Sequence, residues 1–245
     1  MYMENKRVIV VGYGSAGKRH ASNASSLGFD VIVVSSIHQN DFPSHSSLED
    51  AIEASEPHFV IIASPTYRHI SELNICRSYG VSCLVEKPLS FSVPSVKIKH
   101  DKSSSDAIYR VAYIMRYHPL VIRLKNNLKS LGKIHDASIS FGQYLPWWRK
   151  DTDYRKSYSA FSEKGGGVLL DSSHEIDLVK YLFGGVDSVI AISSKFSSLE
   201  INSDDIALAI LKMNSGQLVQ LKLNYLNQIP ERKIIINGEN GTISA

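Results

Sequence analysis

Five short apolar runs separated by segments of helical period fill the first half of the chain, and they constrain its fold more than any other feature. They are Arg7–Val11, Val31–Val34, Phe59–Ala63, Val81–Val85 and Ala107–Tyr113. Each is rich in Val, Ile, Ala or Tyr and has the length of a strand buried on both faces. Ser46 and Glu49 form a capping-box pattern before a short helix that ends near Pro57. Thr66 is placed to cap a helix from Tyr67 to Tyr79, with Gly80 as its left-handed stop. Strands that alternate with helices need crossover connections, so the pattern predicts an α/β fold with a parallel, doubly wound sheet.

The pattern changes after Tyr117, where we expect the first domain (1–117) to give way to a second (118–245). Pro119 opens a helix with Val121, Leu124, Leu128 and Leu131 on one face, and Gly132 ends it. A strand follows in which Ile139 and Phe141 alternate with Ser138 and Ser140. After a loop rich in Trp, Tyr and Arg comes a Gly-rich turn and a helix to Phe183. The remainder reads as strands: Val186–Ser193, Asp205–Met213, Gln217–Tyr225 and Arg232–Ile236. Asn214-Ser215-Gly216 and Asn237-Gly238 supply turns. Val219, Leu221, Leu223 and Tyr225 alternate with Gln220, Lys222 and Asn224, as in an antiparallel sheet with one packed face and one polar or interfacial face.

Composition narrows the class. Hydrophobic residues at 43% and charged residues at 21% exclude a disordered or collagenous chain. With 27 Lys and Arg against 24 Asp and Glu, and no basic block, we expect no nucleic-acid partner. No apolar run approaches the roughly 20 residues that span a bilayer, so no membrane span is expected. Met1–Arg7 lacks the apolar stretch of a signal peptide. Cys76 and Cys83 lie inside regular segments without ligand-like spacing, and read as reduced core thiols of a cytoplasmic protein that binds no metal.

Three places carry chemistry. The first is Gly12-Tyr13-Gly14-Ser15-Ala16-Gly17, a G-x-G-x-x-G that follows a strand and opens a helix. That context raises a weak pattern to a dinucleotide fingerprint, and a plain glycine turn is the weaker reading. Gly12 allows the tight turn and Gly14 lets backbone N–H groups approach a pyrophosphate. Gly17 brings helix against sheet, helped by the small Ala21 and Ala24. The helix N-terminus adds the positive end of its dipole. At the end of the second strand stand Ser35 and Ser36, where an acidic residue would favour NAD. Neutral residues there do not repel a 2′-phosphate, so the expectation is NAD(P) with a lean to NADP. No Arg or Lys beside the serines grips that phosphate, and NAD stays open.

The second place is Glu86-Lys87-Pro88, where the fourth strand ends. Carboxyl ends of strands line the ligand crevice of a doubly wound sheet, which puts Lys87 near the nicotinamide. For the tripeptide alone, a solvated lysine before a helix-starting proline is the better reading; a cis Lys–Pro bond is allowed. Ser64, Pro65 and Thr66 end the third strand and border the same crevice. For His69, one turn on, a half-exposed helix residue and a cofactor contact stand level.

The third place is Gly165-Gly166-Gly167 followed by Asp171, His174 and Asp177. Spaced i, i+3, i+6, the last three lie along one side of a helix. An acid beside an imidazole can orient it and tune it for proton transfer. His174-Glu175 also suggests a zinc helix, but the second His of H-E-x-x-H is missing. A hydrogen-bond network and a catalytic pair remain, and the glycines favour the pair.

Taken in order, Gly12-x-Gly14-x-x-Gly17-x-Arg19-His20, Glu86-Lys87-Pro88 and Gly165-Gly166-Gly167-x-Leu169-x-Asp171 with His174-x-x-Asp177 resemble the glucose–fructose oxidoreductase and inositol dehydrogenase (Gfo/Idh/MocA) family over nearly the whole chain. The resemblance implies a Rossmann domain, then an α/β domain with an open, mainly antiparallel sheet that often forms the subunit interface. It implies NAD(P)-dependent oxidation or reduction of sugars, cyclitols and nucleotide-linked sugars. Lys87 matches the family's active-site lysine, His174 its imidazole and Asp171 the acid before it; Tyr113 and Arg116 match the segment leaving the last Rossmann strand. The chain departs from the family in three ways. Asp171 and His174 are three apart where many members have four, in a form similar to a subgroup associated with surface-polysaccharide sugars. Ile114 stands where many carry Asn. The chain stops after Gly241-Thr242-Ile243 where relatives continue, which leaves its last strands to be covered by a partner.

The expected activity is hydride transfer between NAD(P) and a sugar or nucleotide-sugar carbon. His174 acts as base, Asp171 orients it, and Lys87 stabilises the reacting oxygen. The base role can also pass to Lys87. Cofactor-binding positions are Gly12, Gly14, Ser15, Ala16, Gly17, Ser35, Ser36, Ser64, Pro65, Thr66, His69, Glu86 and Lys87. Arg116, Tyr144, Trp148, Arg149, Arg155 and Tyr158 are the expected substrate contacts. With Tyr154, most of these make a polar-aromatic loop for which sugar stacking and ordinary packing stand level. A redox-linked dehydratase or glycosidase and a non-catalytic dinucleotide sensor are the alternatives. Pairing of the open sheet suggests a homo-oligomer.

Overall fold

The computed structural model describes residues 6–36, 41–92, 106–148 and 152–245. It divides into two compact units, Met1–Ala112 and Tyr113–Ala245. Residues 113–117, which we expected to close the first domain, belong to the second unit. There the 3-10 turn Ile114–Tyr117 packs on the helix Ser173–Phe183.

The first unit is a six-stranded sheet: β1 (Arg7–Val11), β2 (Asp30–Val34), β3 (Ser44–His45), β4 (Phe59–Ile62), β5 (Cys83–Val85) and β6 (Tyr109–Val111). Their order is β3-β2-β1-β4-β5-β6, and all neighbours run parallel. Among the described residues three helices fill crossovers: α1 (Ser15–Ser26), α2 (Leu48–Ser55) and α3 (His69–Ser78). The central strand explains the run that seeded the prediction, since Val8, Ile9, Val10 and Val11 are at most 1% exposed. A strand covered on both faces has no polar face to alternate with. Cys76 and Cys83 are buried and unbridged in this core.

Two helix starts differ from expectation. The cap of α2 is Ser47, whose Oγ accepts the Asp50 N–H at 3.1 Å, not Ser46. Thr66 caps nothing. Residues Thr66–Arg68 form a 3-10 turn, closed by Arg68 N–H donating to the Pro65 carbonyl at 2.9 Å, and α3 begins at His69 without a side-chain cap. Gly80 does take the left-handed conformation at the other end.

In the second unit α4 (Pro119–Asn127) begins with Pro119 at its first turn and tightens into a 3-10 turn, Leu128–Leu131, before Gly132. Six strands follow: β7 (Ile134–Gly142), β8 (Val186–Ser194), β9 (Ile206–Met213), β10 (Leu218–Asn224), β11 (Glu231–Gly238) and β12 (Gly241–Ser244). The order is β12-β11-β7-β10-β9-β8. Only β7 and β10 pair in parallel among these neighbours, so the sheet is mixed, mainly antiparallel. The predicted Asn237-Gly238 turn is still strand. Both residues pair with β7 through a bulge, and the reversal moves to Glu239-Asn240.

The helix predicted to run to Phe183 is two: α5 (Val168–Asp171) and α6 (Ser173–Phe183), broken at Ser172. Leu178, Val179, Leu182 and Phe183 of α6 pack on the sheet face formed by Ile139, Val219, Leu221, Leu223, Ile234 and Ile236.

Candidate active site

The glycine loop leaves β1 at Gly12, whose φ of +88° is left-handed, and enters α1 at Gly14. A methyl group at Gly12 would lie 2.7 Å from the Ala63 carbonyl oxygen, and one at Gly17 would lie 1.9 Å from the Gly12 carbonyl oxygen. These two glycines let chain pack on chain. Gly14 is different, because an added Cβ meets nothing within 4 Å. No side chain caps α1, and its first turn carries no acidic residue. The N–H groups of Ser15, Ala16 and Gly17 therefore stand at a helix start open for an anion. The cradle fits the pyrophosphate of a dinucleotide: open space at Gly14, uncapped donors and a positive dipole end. Ser35 and Ser36 follow β2, with Ser35 N–H donating to the His45 carbonyl at 3.4 Å.

At the end of β5, Lys87 is partly buried and its bond to Pro88 is cis. Glu86 Oε1 lies 2.8 Å from His20 Nε2 of α1, and Glu86 Oε2 accepts the Lys87 N–H at 3.2 Å. Burial works against the Glu86 charge, yet the His20 hydrogen bond and charge, the Lys87 N–H and Arg19 outweigh it and hold the carboxyl below its ordinary range. Glu86 thus ties the end of β5 to His20 of α1.

His69 is not the half-exposed helix residue of the first expectation. It is 1% exposed, and its two ring nitrogens each lie 2.9 Å from a carbonyl oxygen, Nδ1 from Pro88 and Nε2 from Ser64. Its polar atoms are spent inside the protein. Ser64 likewise turns inward and donates its hydroxyl to the buried Glu72, which also pairs with Arg68 at 2.8 Å. Burial pushes the Glu72 carboxyl up, while Ser64, Arg68 and His69 draw it back. Pro65 is exposed and Thr66 partly so.

In the second unit the break at Ser172 places Asp171 and His174 on separate helices, so the expected single helix side does not exist. Asp171 is buried, and its Oδ2 accepts hydrogen bonds from Ser159 Oγ and from the Tyr225 hydroxyl, both at 2.6 Å. Burial and the neighbouring Asp171 raise the Tyr225 phenol. The ring of His174 meets Tyr113 edge-on at 5.9 Å. Burial, then Asp177, raises the Tyr113 phenol. Asp177 holds Arg116 in a two-point ion pair, Nε to Oδ2 at 2.7 Å and Nη2 to Oδ1. The guanidinium lies near the faces of Tyr113 and Tyr181. Arg116 is thereby held against α6 of this unit. Glu175, fully buried, is paired with Arg232 Nε at 2.7 Å.

The glycines before Asp171 serve close packing too. A methyl at Gly166 would lie 2.3 Å from the Tyr158 carbonyl oxygen, and one at Gly167 would lie 2.0 Å from Asp204 Oδ1. Asp204 in turn accepts the Leu169 N–H at 2.9 Å and starts α5.

The aromatic loop divides between packing and surface. Trp148 donates its indole N–H to the Gln143 carbonyl at 3.2 Å and packs edge-on against Tyr225 at 5.1 Å. Tyr144 meets Trp147 edge-on, and the Tyr154 hydroxyl accepts the Glu200 N–H. Arg155 is paired with Asp153 and Glu200, and Tyr158 is exposed. Arg149 lies outside the described residues. Among the described residues no group of His, Cys, Asp and Glu is arranged to hold a metal, and no helix is long and apolar enough to cross a membrane.

Sequence reasoning missed the partners His20, Ser159, Asp204 and Tyr225. His20 was visible only as the last residue of the first family motif, without a partner assigned, and Tyr225 only as a member of a packed strand. No spacing rule links positions as distant as 159, 171 and 225.

Strand order, glycine loop and uncapped helix define a Rossmann protein of the dinucleotide-binding class. Comparison with known proteins carries this further. Residues 6–101 match the model of the oxidoreductase family with an NAD-binding Rossmann fold, and residues 127–244 match the Gfo/Idh/MocA C-terminal domain. The chain belongs to the Gfo/Idh/MocA oxidoreductase family. It is 26% identical over 203 residues to 2,7-anhydro-N-acetylneuraminate hydratase of Escherichia coli, an alignment covering 81% of this chain and 54% of that protein. It is 22% identical over 247 residues to UDP-N-acetylglucosamine 3-dehydrogenase of Acidithiobacillus ferrooxidans, covering 96% of this chain and 72% of the relative. The chain spans about half the length of several curated relatives it matches. In fold it is similar to a myo-inositol dehydrogenase from Corynebacterium glutamicum, with a TM-score of 0.83 at 17% identity, covering 98% of this chain and 75% of that one. It is also similar to the WlbA dehydrogenase from Bordetella pertussis, whose structure contains NADH and UDP-GlcNAcA, with a TM-score of 0.81 at 19% identity, covering 98% and 78%.

Proposed function

We propose that this chain is an NAD(P)-dependent dehydrogenase or reductase acting on a carbinol or carbonyl carbon of a sugar, cyclitol or nucleotide sugar. The carrying observation is the uncapped first turn of α1 with open space at Gly14. The coenzyme, when bound, supplies the hydride acceptor or donor. Ser15, Ala16 and Gly17 N–H groups hold its phosphates. The neutral pair Ser35 and Ser36 supports NADP over NAD, since no carboxylate there repels a 2′-phosphate. Lys87 hydrogen-bonds the reacting oxygen and stabilises the charge that develops on it. His174 takes the hydroxyl proton. Asp171, held by Ser159 and Tyr225, is a positioning residue for the helix junction that carries His174. Relatives named for a UDP-sugar dehydrogenase and for an anhydro-sugar hydratase support a sugar-linked substrate.

The test is a fluorescence titration with NADH and NADPH, followed by absorbance assays against a panel of sugars and nucleotide sugars. Binding of both coenzymes that is unchanged by Gly14→Val would defeat the proposal. Lys87→Met is expected to keep coenzyme binding and to lose turnover. Full turnover in that variant removes Lys87 from the chemistry, and turnover absent from the parent protein across the panel favours a sensor.

A second reading is favoured by the hydratase name of two relatives. A redox-linked lyase or hydratase uses the same hydride step transiently, and product then forms without net accumulation of NAD(P)H.

The outer face of the second sheet supports self-association. Ile190 and Ile192 of β8 register with Ile210 and Leu208 of β9, and these four are 44–79% exposed. A contiguous exposed apolar face of this kind fits a second copy of the chain. Buried, unbridged Cys76 and Cys83 fit work in the cytoplasm.

A further inference from the structure

Lys87 is flanked by two residues that are each fastened to a histidine. Before it, Glu86 meets His20 Nε2 at 2.8 Å, and both side chains are under 20% exposed. The other oxygen of Glu86 accepts the backbone N–H of Lys87 itself. After it, the Pro88 carbonyl lies 2.9 Å from Nδ1 of the buried His69, whose Nε2 reaches the Ser64 carbonyl. His20 stands on α1 one turn past the glycine loop, and His69 opens α3 after β4. The turn after β5 is thus tied to the connections after β1 and β4. The buried His69 ring therefore bridges the carbonyl oxygens of Pro88 and Ser64.

We propose that His20 and His69 are positioning residues for Lys87, fixing the backbone on both sides of it so that the stem of its side chain starts from a set point. A lysine side chain has four rotatable bonds, and a fixed backbone sets the point and direction from which they start. The inference rests on the functional reading above only in treating Lys87 as the reacting lysine; its geometry is independent of that role.

The experiment is reductive methylation of the intact protein with formaldehyde and cyanoborohydride, read at each lysine by peptide mass spectrometry. Lys133 of the second unit is the internal reference. In the absence of coenzyme, His20→Leu and His69→Leu are expected to change the Lys87 rate relative to Lys133 by roughly threefold or more, as expected for a locally opened turn. His20→Gln, whose amide nitrogen reaches where Nε2 did, is expected to restore the parent rate, which packing alone would not achieve. If His69→Leu does not fold, the His20 pair of variants decides. Equal relative rates in all the proteins overturn the inference. Adding saturating NADH tests the functional reading separately, through shielding of Lys87 in the parent protein. Altered rates without shielding support the positioning role and remove the catalytic one; shielding with unaltered rates does the reverse.

Discussion

Gly14 and Gly17 belong to one glycine motif, yet an added methyl group means opposite things at the two. At Gly17 it would enter the Gly12 carbonyl oxygen at 1.9 Å, and the backbone cannot yield cheaply. Gly17→Ala is expected to destabilise the protein by about 1–3 kcal/mol, as overpacking does, read by urea denaturation. At Gly14 it meets open space. Gly14→Val is expected to leave the urea midpoint nearly unchanged while NADH and NADPH affinity fall at least about tenfold, because the volume lost is the pyrophosphate's. Equal effects on folding and binding at both positions would contradict the cradle. Tyr225 supplies a third residue-level test. Its hydroxyl donates to the buried Asp171, and hydrogen bonds to charged groups are worth about 1.5–3 kcal/mol. Tyr225→Phe is expected to cost stability in that range, read by urea denaturation.

Between elements, exposure decides which half of an ion pair matters more. Arg116 is 41% exposed and Asp177 only 6%. Arg116→Ala strands a buried carboxylate between the Ile114–Tyr117 turn and α6, and is expected to cost about 3 kcal/mol. Asp177→Ala leaves a guanidinium that water can reach, and the loss should be clearly smaller. Thermal melts of the two variants check the order. The tie between α1 and the β5 turn has a pH signature. The Glu86 carboxyl is held below its ordinary value in the folded chain. The stabilisation it brings is therefore present in full above the unfolded-state carboxylate range and is lost as pH falls through the lower folded value. Glu86→Gln is expected to flatten that acid-side loss, and an unchanged slope of stability against pH would show that Glu86 does not contribute it.

For the whole molecule, the outer face of the second sheet carries a prediction of its own. Ile190 and Ile210 are 79% and 54% exposed and sit opposite each other in register. Ile190→Asp with Ile210→Lys is expected to lower the sedimentation mass from oligomer to monomer without changing the far-ultraviolet circular dichroism. A parent chain that already sediments as a monomer would contradict self-association through this face.

How much of this could be read from residues alone follows from the range of each interaction. Short-range signals carried well. Val8–Val11 announced a strand buried on both faces, G-x-G-x-x-G after it announced the cradle, and alternation in Val219–Tyr225 announced a one-sided sheet. All depend on neighbours within a few positions, where backbone geometry fixes what a side chain can face. Tertiary structure decided the rest. It broke the helix at Ser172, buried His69 between two carbonyls, turned Arg116 onto Asp177, and gave Asp171 its partners Ser159 and Tyr225. It also set β7 parallel to β10 within a sheet whose other pairs are antiparallel. Each of these joins groups far apart in the chain, and a polar side chain carries no local mark of the distant donor or acceptor that burial will force it to find.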